Sequence, residues 1–133
     1  SIALQANVLA LQHARDSGAS ECLFIRNGVI TEGTHTNFFA VLDGIVRTHA
    51  QGNCILPGIT RACVLHLCRV NGIPFAEEAV AETDLARVTE AFITATSYEV
   101  TPVVRIRGAP IGGGQPGPIT REIQRGFRRL TAA

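Results

Sequence analysis

Two dipeptides constrain the fold of this chain more than anything else in it. They are Asn27-Gly28 and Asp43-Gly44, each set between short apolar runs rich in β-branched residues. Asn-Gly and Asp-Gly reach positive φ at little cost, which suits the two-residue turns that join antiparallel strands. The first predicts a hairpin from residues 21–26 into 29–31, and the second predicts one from 38–42 into 45–48. Further strands are expected at 73–80, 91–96 and 102–106, where apolar residues cluster between turn signals. Helices are expected at 2–16, 60–71, 82–88 and 119–130. In the first of these, Leu4, Val8, Leu9 and Leu11 fall at helical spacing and Ser17-Gly18 ends the pattern. Thr60 is placed to cap the second helix and Gly72 to stop it. Pro118 opens the last helix. The fold class that follows is α/β: one domain with a mixed, largely antiparallel sheet and a few helices.

A chain of 133 residues suits one domain, and 46% hydrophobic residues against 17% charged exclude a disordered tail. Twelve basic and eleven acidic side chains leave a net charge of +1, which offers no footprint for nucleic acid or an anionic membrane. No apolar run approaches the roughly 20 residues of a membrane helix, so a soluble protein is expected. Cys22, Cys54, Cys63 and Cys68 make no CxxC pair and read as reduced thiols of a cytoplasmic protein. Cys63, His66 and Cys68 do not share one helix face, so no metal site is expected there. Every one of the twelve basic residues is arginine. The chain has no lysine, no methionine, and begins at Ser1, so it reads as part of a longer protein.

Three polar clusters could carry chemistry. Leu56-Pro57-Gly58-Ile59-Thr60-Arg61 puts a glycine just before a helix start. There the free N–H groups of Ile59 and Thr60 and the Thr60 hydroxyl could hold an anion, or Thr60 could merely cap the helix. In residues 31–37 the Glu32 carboxylate could face a cleft or stand in water on a polar turn. Thr94-Ala95-Thr96-Ser97 ends a buried strand with three hydroxyls, which would suit a phosphate, although β-branched threonine in an ordinary strand is the reading the local sequence favours. Gly112-Gly113-Gly114 lacks the context of a phosphate-binding loop and reads as a flexible turn. His13, His35, His49 and His66 are scattered, and no nucleophile elbow is present.

Taken in order, these clusters resemble one family, the class IV (fold-type IV) pyridoxal-phosphate aminotransferases, and among them the D-amino acid aminotransferases. The resemblance rests on Ser1-Ile2-Ala3-Leu4, Asn7 to Ala10, Glu32-Gly33 with Asn37-Phe38, Ile55 to Arg61, Glu90 to Ser97, Glu99 to Val103, and Gly112 to Thr120. It implies that the fold is a sheet or open barrel with a few helices. It also implies that residues 1–133 are the single C-terminal cofactor-binding domain. The Schiff-base lysine would stand immediately before Ser1, so no catalytic residue lies in this chain, and an N-terminal domain would complete the site.

By the same resemblance Glu32 would meet the pyridine nitrogen of pyridoxal 5'-phosphate and Leu56 would pack on the ring. Gly58, Ile59, Thr60 and Thr96 would hold the phosphate, and Asn37 would line the site. His35 stands where a small residue is expected, and Arg61 would brace the loop rather than touch substrate. The implied activity is transamination between a D-amino acid and a 2-oxo acid, by a cytoplasmic homodimer. The alternatives are a branched-chain aminotransferase, an aminodeoxychorismate lyase, or a non-catalytic remnant if no lysine precedes Ser1.

Overall fold

The computed structural model describes residues 2–12, 15–52, 58–95 and 99–132. Both predicted hairpins form. Asn27 and Gly28 have φ of 53° and 78°, and Asp43 and Gly44 have 55° and 76°, the left-handed pair that a tight antiparallel turn requires. They join β2 (Arg15–Arg26) to β3 (Val29–Gly33) and β4 (Thr36–Leu42) to β5 (Ile45–Thr48). A third turn, Arg107-Gly108, joins β8 (Glu99–Ile106) to the short β9 (Ala109–Pro110).

The first segment is a strand, β1 (Ile2–Gln12), not the expected helix, and it pairs with β2 from Ile2↔Ile25 to Gln12↔Arg15. Leu4, Ala6, Val8 and Ala10 are all buried, so the segment has a period of two. The two alanines hide that alternation in the sequence, because only the leucines and valine stand out as apolar. Ser17-Gly18 is no terminator either, since both residues lie within β2.

β7 (Glu90–Ala95) completes the set, and the strands close on themselves. The ring runs β1-β2-β3-β4-β7-β8 and back to β1, each pair antiparallel. The barrel is therefore closed rather than open, and the closing pair is the short β3–β4 contact at Glu32↔Asn37 and Gly33↔Thr36. The far half of β4 turns instead to β5, which pairs in parallel with β6 (Phe75–Ala76). β6 is all that forms of the strand expected over 73–80. Pro74 lacks an N–H, and the Glu78 and Ala79 carbonyls accept from the Arg47 guanidinium rather than from a strand. Residues Glu82–Arg87 form a 3-10 turn.

Two cores follow from the two faces of the sheet. Leu4, Val8, Leu23, Ile25, Phe38, Ala40, Ile93 and Val103 fill the barrel. Phe39, Val41, Phe92 and Val100 point outward and are covered by α1 (Ile59–Val70) and α2 (Pro118–Thr131). The Phe39 and Phe92 rings stack with centroids 4.8 Å apart. Val64, Leu67, Cys68, Ile123 and Phe127 supply the helical side of this layer. No helix among the described residues is long and apolar enough to cross a membrane.

Candidate functional site

Strand register assembles the site. Asn37 pairs with Glu32 on one side and with Thr94 on the other. Asn37 and Thr94 each lie two residues along their strands from Phe39 and Phe92, so they face outward with those rings, and cross-strand pairing puts Glu32 on that face as well. Asn37 and Thr94 are buried, while Glu32 is half-buried. Glu32 belongs to strand β3 and not to the polar turn, which is confined to Thr34 and His35. His35 sits at the exposed apex with φ of 60°.

The start of α1 rests on this row. Its N-cap is Gly58, not Thr60, and no side-chain cap bonds to it. A Cβ at Gly58 would stand 2.5 Å from Asn37 Oδ1, so glycine lets the helix start rest on the Asn37 amide without displacing it. The first intrahelical bond runs from Ala62 N to Gly58 O at 3.1 Å. The N–H groups of Ile59, Thr60 and Arg61 thus have no partner within the helix. Thr60 is buried and the Ile59 side chain is exposed.

α2 makes an instructive contrast. It too begins at a glycine, Gly117, without a side-chain cap and without an acidic residue in its first turn. There a buried carboxylate from another element takes the place of a cap. Glu90 accepts from Thr120 N at 2.7 Å, Thr120 Oγ1 at 2.8 Å and Ile119 N at 3.2 Å. The first turn of α1 also lacks an acidic residue, and no carboxylate among the described residues takes the corresponding place. It carries instead a buried cation, Arg61, whose side chain is 3% exposed. A cation is the unfavourable charge at this end of a helix dipole.

Arg61 Nη2 donates to His49 O and to Glu77 Oε1, each at 2.9 Å, while its buried Nε has no partner. The Thr94 hydroxyl is likewise buried without a partner. A glycine cradle, an uncapped helix start and an orphaned hydroxyl all suit an anionic group seated at the start of α1.

The structure brings Glu32, Asn37, Gly58, Ile59 and Thr60 together. Leu56 and Thr96 lie outside the described residues. Thr94 was legible as a hydroxyl at a strand end, and strand alternation could have put it on the face of Asn37. Of the cysteines, Cys22, Cys63 and Cys68 are free thiols, and no three metal-ligating side chains converge among the described residues. Burial, with the Glu122 carboxylate adding to it, pushes the Cys68 thiol up to about 11.

The family described as amino-transferase class IV matches residues 1–106. The chain is 43% identical over 124 residues to the D-alanine aminotransferase of Bacillus licheniformis, covering 93% of this chain and 44% of that protein. It is 40% identical over 129 residues to the D-alanine aminotransferase of Staphylococcus aureus strain N315, covering 97% and 46%. The chain therefore spans less than half the length of these curated relatives. Among solved structures, the branched-chain amino acid aminotransferase of Escherichia coli superposes with a TM-score of 0.74 at 38% identity, over 78% of this chain and 35% of that one. A T.th. branched-chain amino acid aminotransferase complexed with N-(5'-phosphopyridoxyl)-L-glutamate gives 0.76 at 32% identity, over 85% and 39%. By the match over residues 1–106 and by these identities, the chain belongs to the class IV aminotransferases.

Proposed function

We propose that residues 1–133 are the C-terminal cofactor-binding domain of a pyridoxal-phosphate enzyme that moves an amino group between a D-amino acid and a 2-oxo acid. The observation that carries the reading is the uncapped start of α1, seated through Gly58 on the Glu32–Asn37–Thr94 row. When bound, pyridoxal 5'-phosphate supplies an electron sink that no side chain of this chain can provide.

The chain's own residues would hold it. The N–H groups of Ile59 and Thr60, with the Thr60 hydroxyl, would bind the phosphate at the positive end of the helix. Thr96 would add a second hydroxyl, and Gly58 keeps that end open. Glu32 would hold a proton at the pyridine nitrogen, Leu56 would pack on the ring face, and Asn37 would line the pocket beside Gly58. The amine that takes up the cofactor would be a lysine just before Ser1, since the chain has none. An N-terminal domain would supply the remaining substrate contacts, and the full-length protein would work as a homodimer in the cytoplasm.

The D-alanine aminotransferase relatives support the D-amino acid reading. The branched-chain aminotransferase neighbours support a second reading, transfer from a branched-chain L-amino acid. An aminodeoxychorismate lyase would share the Glu32 and Gly58–Thr60 positions, and a non-catalytic remnant would lack the lysine. Assaying the full-length protein with D-alanine and with L-leucine against a 2-oxo acid decides among them. We expect turnover of D-alanine. Turnover of L-leucine alone would favour the branched-chain reading, and turnover of neither would overturn both substrate readings in favour of the lyase or the remnant.

A further inference from the structure

We propose that Arg61 is a positioning residue of the anion site. Its guanidinium clamps the first turn of α1 to the two chain segments beside it, and so sets where the N–H groups of Ile59 and Thr60 point. The proposal rests on reading that turn as the phosphate site.

A single nitrogen makes the clamp. Arg61 Nη2 donates to the carbonyl of His49 and to the carboxylate of Glu77, both at 2.9 Å. His49 follows β5 directly and Glu77 follows β6 directly. Arg61 is itself three residues past Gly58, the glycine that rests against Asn37. The helix start is thus held on one flank by the site row and on the other by this guanidinium.

Stability alone is a poor account of such a residue. Burying an arginine is costly, and an apolar side chain of similar size often serves a core as well or better. A cation in the first turn also opposes the helix dipole. Placement of the backbone explains both features, because Nη2 holds acceptors from two separate segments against the first turn of α1. It also explains why Glu77 is 46% exposed while its partner is 3% exposed. The carboxylate reaches in from the surface to hold the guanidinium.

Glu77 has another property that makes the clamp testable. The segment that carries it is tied down independently. Arg47 Nη2 donates to the Ala79 carbonyl at 3.2 Å and Arg47 Nε to the Glu78 carbonyl at 3.4 Å. Removing the Glu77 carboxylate therefore takes away one of the two anchors of Arg61 without releasing the 77–79 backbone.

The experiment uses the full-length protein, freed of cofactor and titrated with pyridoxal 5'-phosphate. Fluorescence reads affinity, the 31P resonance of bound cofactor reads the phosphate environment, and melting of the cofactor-free protein reads the fold. For Glu77→Ala we expect affinity to fall about tenfold, as for one lost charge-assisted hydrogen bond. The 31P resonance should move, and because the buried guanidinium loses its counter-charge the melting temperature of the cofactor-free protein should fall as well, so affinity is compared well below that transition. Glu77→Gln keeps an acceptor and should restore most of the affinity.

Unchanged or tighter binding in Glu77→Ala, with an unmoved resonance, would overturn the clamp and leave the phosphate site standing. Failure of the unsubstituted protein to bind pyridoxal 5'-phosphate would overturn the site reading and the clamp with it. Arg61→Lys should weaken binding as well, because the lysine stem is one bond shorter and its ammonium falls short of the two acceptors that Nη2 reaches. Binding equal to that of the unsubstituted protein in that variant would count against the proposal.

Discussion

Glu32 and Thr60 are separable at the residue scale, because one would meet the ring nitrogen and the other the phosphate. Glu32→Gln removes the charge that keeps a ring nitrogen protonated but leaves the phosphate contacts alone. The full-length variant should retain cofactor and lose activity about a hundredfold or more, measured as turnover beside the cofactor absorbance. A near-normal rate would return Glu32 to a structural role on β3. Thr60→Val keeps the shape and removes one donor, so cofactor affinity should fall by about 1–3 kcal/mol. Equal affinity in a fluorescence titration would leave the hydroxyl without a part in binding. Cys68 makes a prediction about pH. Its thiol is raised from 9.0 to about 11 by burial, with the Glu122 carboxylate adding to the shift. The folded state therefore holds this proton more tightly than the unfolded state. The stability this contributes is fully present below pH 9 and is lost as pH rises toward 11. Denaturant unfolding of Cys68→Ala should show a flatter pH dependence across that window, and an identical slope would contradict the assignment.

The elements explain which parts of the sequence could be read directly. The Asn27-Gly28 and Asp43-Gly44 turns were legible because the local chemistry of two residues dictates positive φ. β1 was not legible as a strand. Its buried Ala6 and Ala10 alternate with Leu4 and Val8, but alanine carries so weak an apolar signal that the leucines suggested a helix. Barrel closure was out of reach for another reason: it depends on two residue pairs between β3 and β4, and a short pairing leaves no pattern of its own. The site was half legible. Gly58, Ile59 and Thr60 follow from helix-start chemistry. The junction of that helix start with Asn37 depends on register between elements far apart in sequence. Each helix start carries a test. Gly58→Ala sets a Cβ 2.5 Å from Asn37 Oδ1, so either the buried Asn37 amide or the start of α1 must shift, and cofactor affinity should fall by about tenfold. At α2, Glu90→Ala removes the buried carboxylate that three donors share. Melting should reveal a loss of about 2–4 kcal/mol with the cofactor contacts otherwise intact.

At the scale of the whole molecule, the barrel holds one core and the barrel wall with two helices encloses another. The site lies on the outer wall, where the row through Glu32, Asn37 and Thr94 meets the start of α1. On the proposed reading the domain would be a platform for a phosphorylated cofactor, and the reactive amine would come from a lysine that this chain lacks. The 133-residue chain alone, having no lysine, should give no turnover of D-alanine. Turnover by the pure chain would refute that division of labour. The central claim is that the start of α1 receives the cofactor's phosphate. A crystal structure of the full-length protein with pyridoxal 5'-phosphate tests it most directly. The account predicts a phosphate oxygen within about 2.7–3.2 Å of the Ile59 or Thr60 nitrogen. A phosphate held elsewhere, with the Ile59 and Thr60 N–H groups bonded only to water, would contradict it.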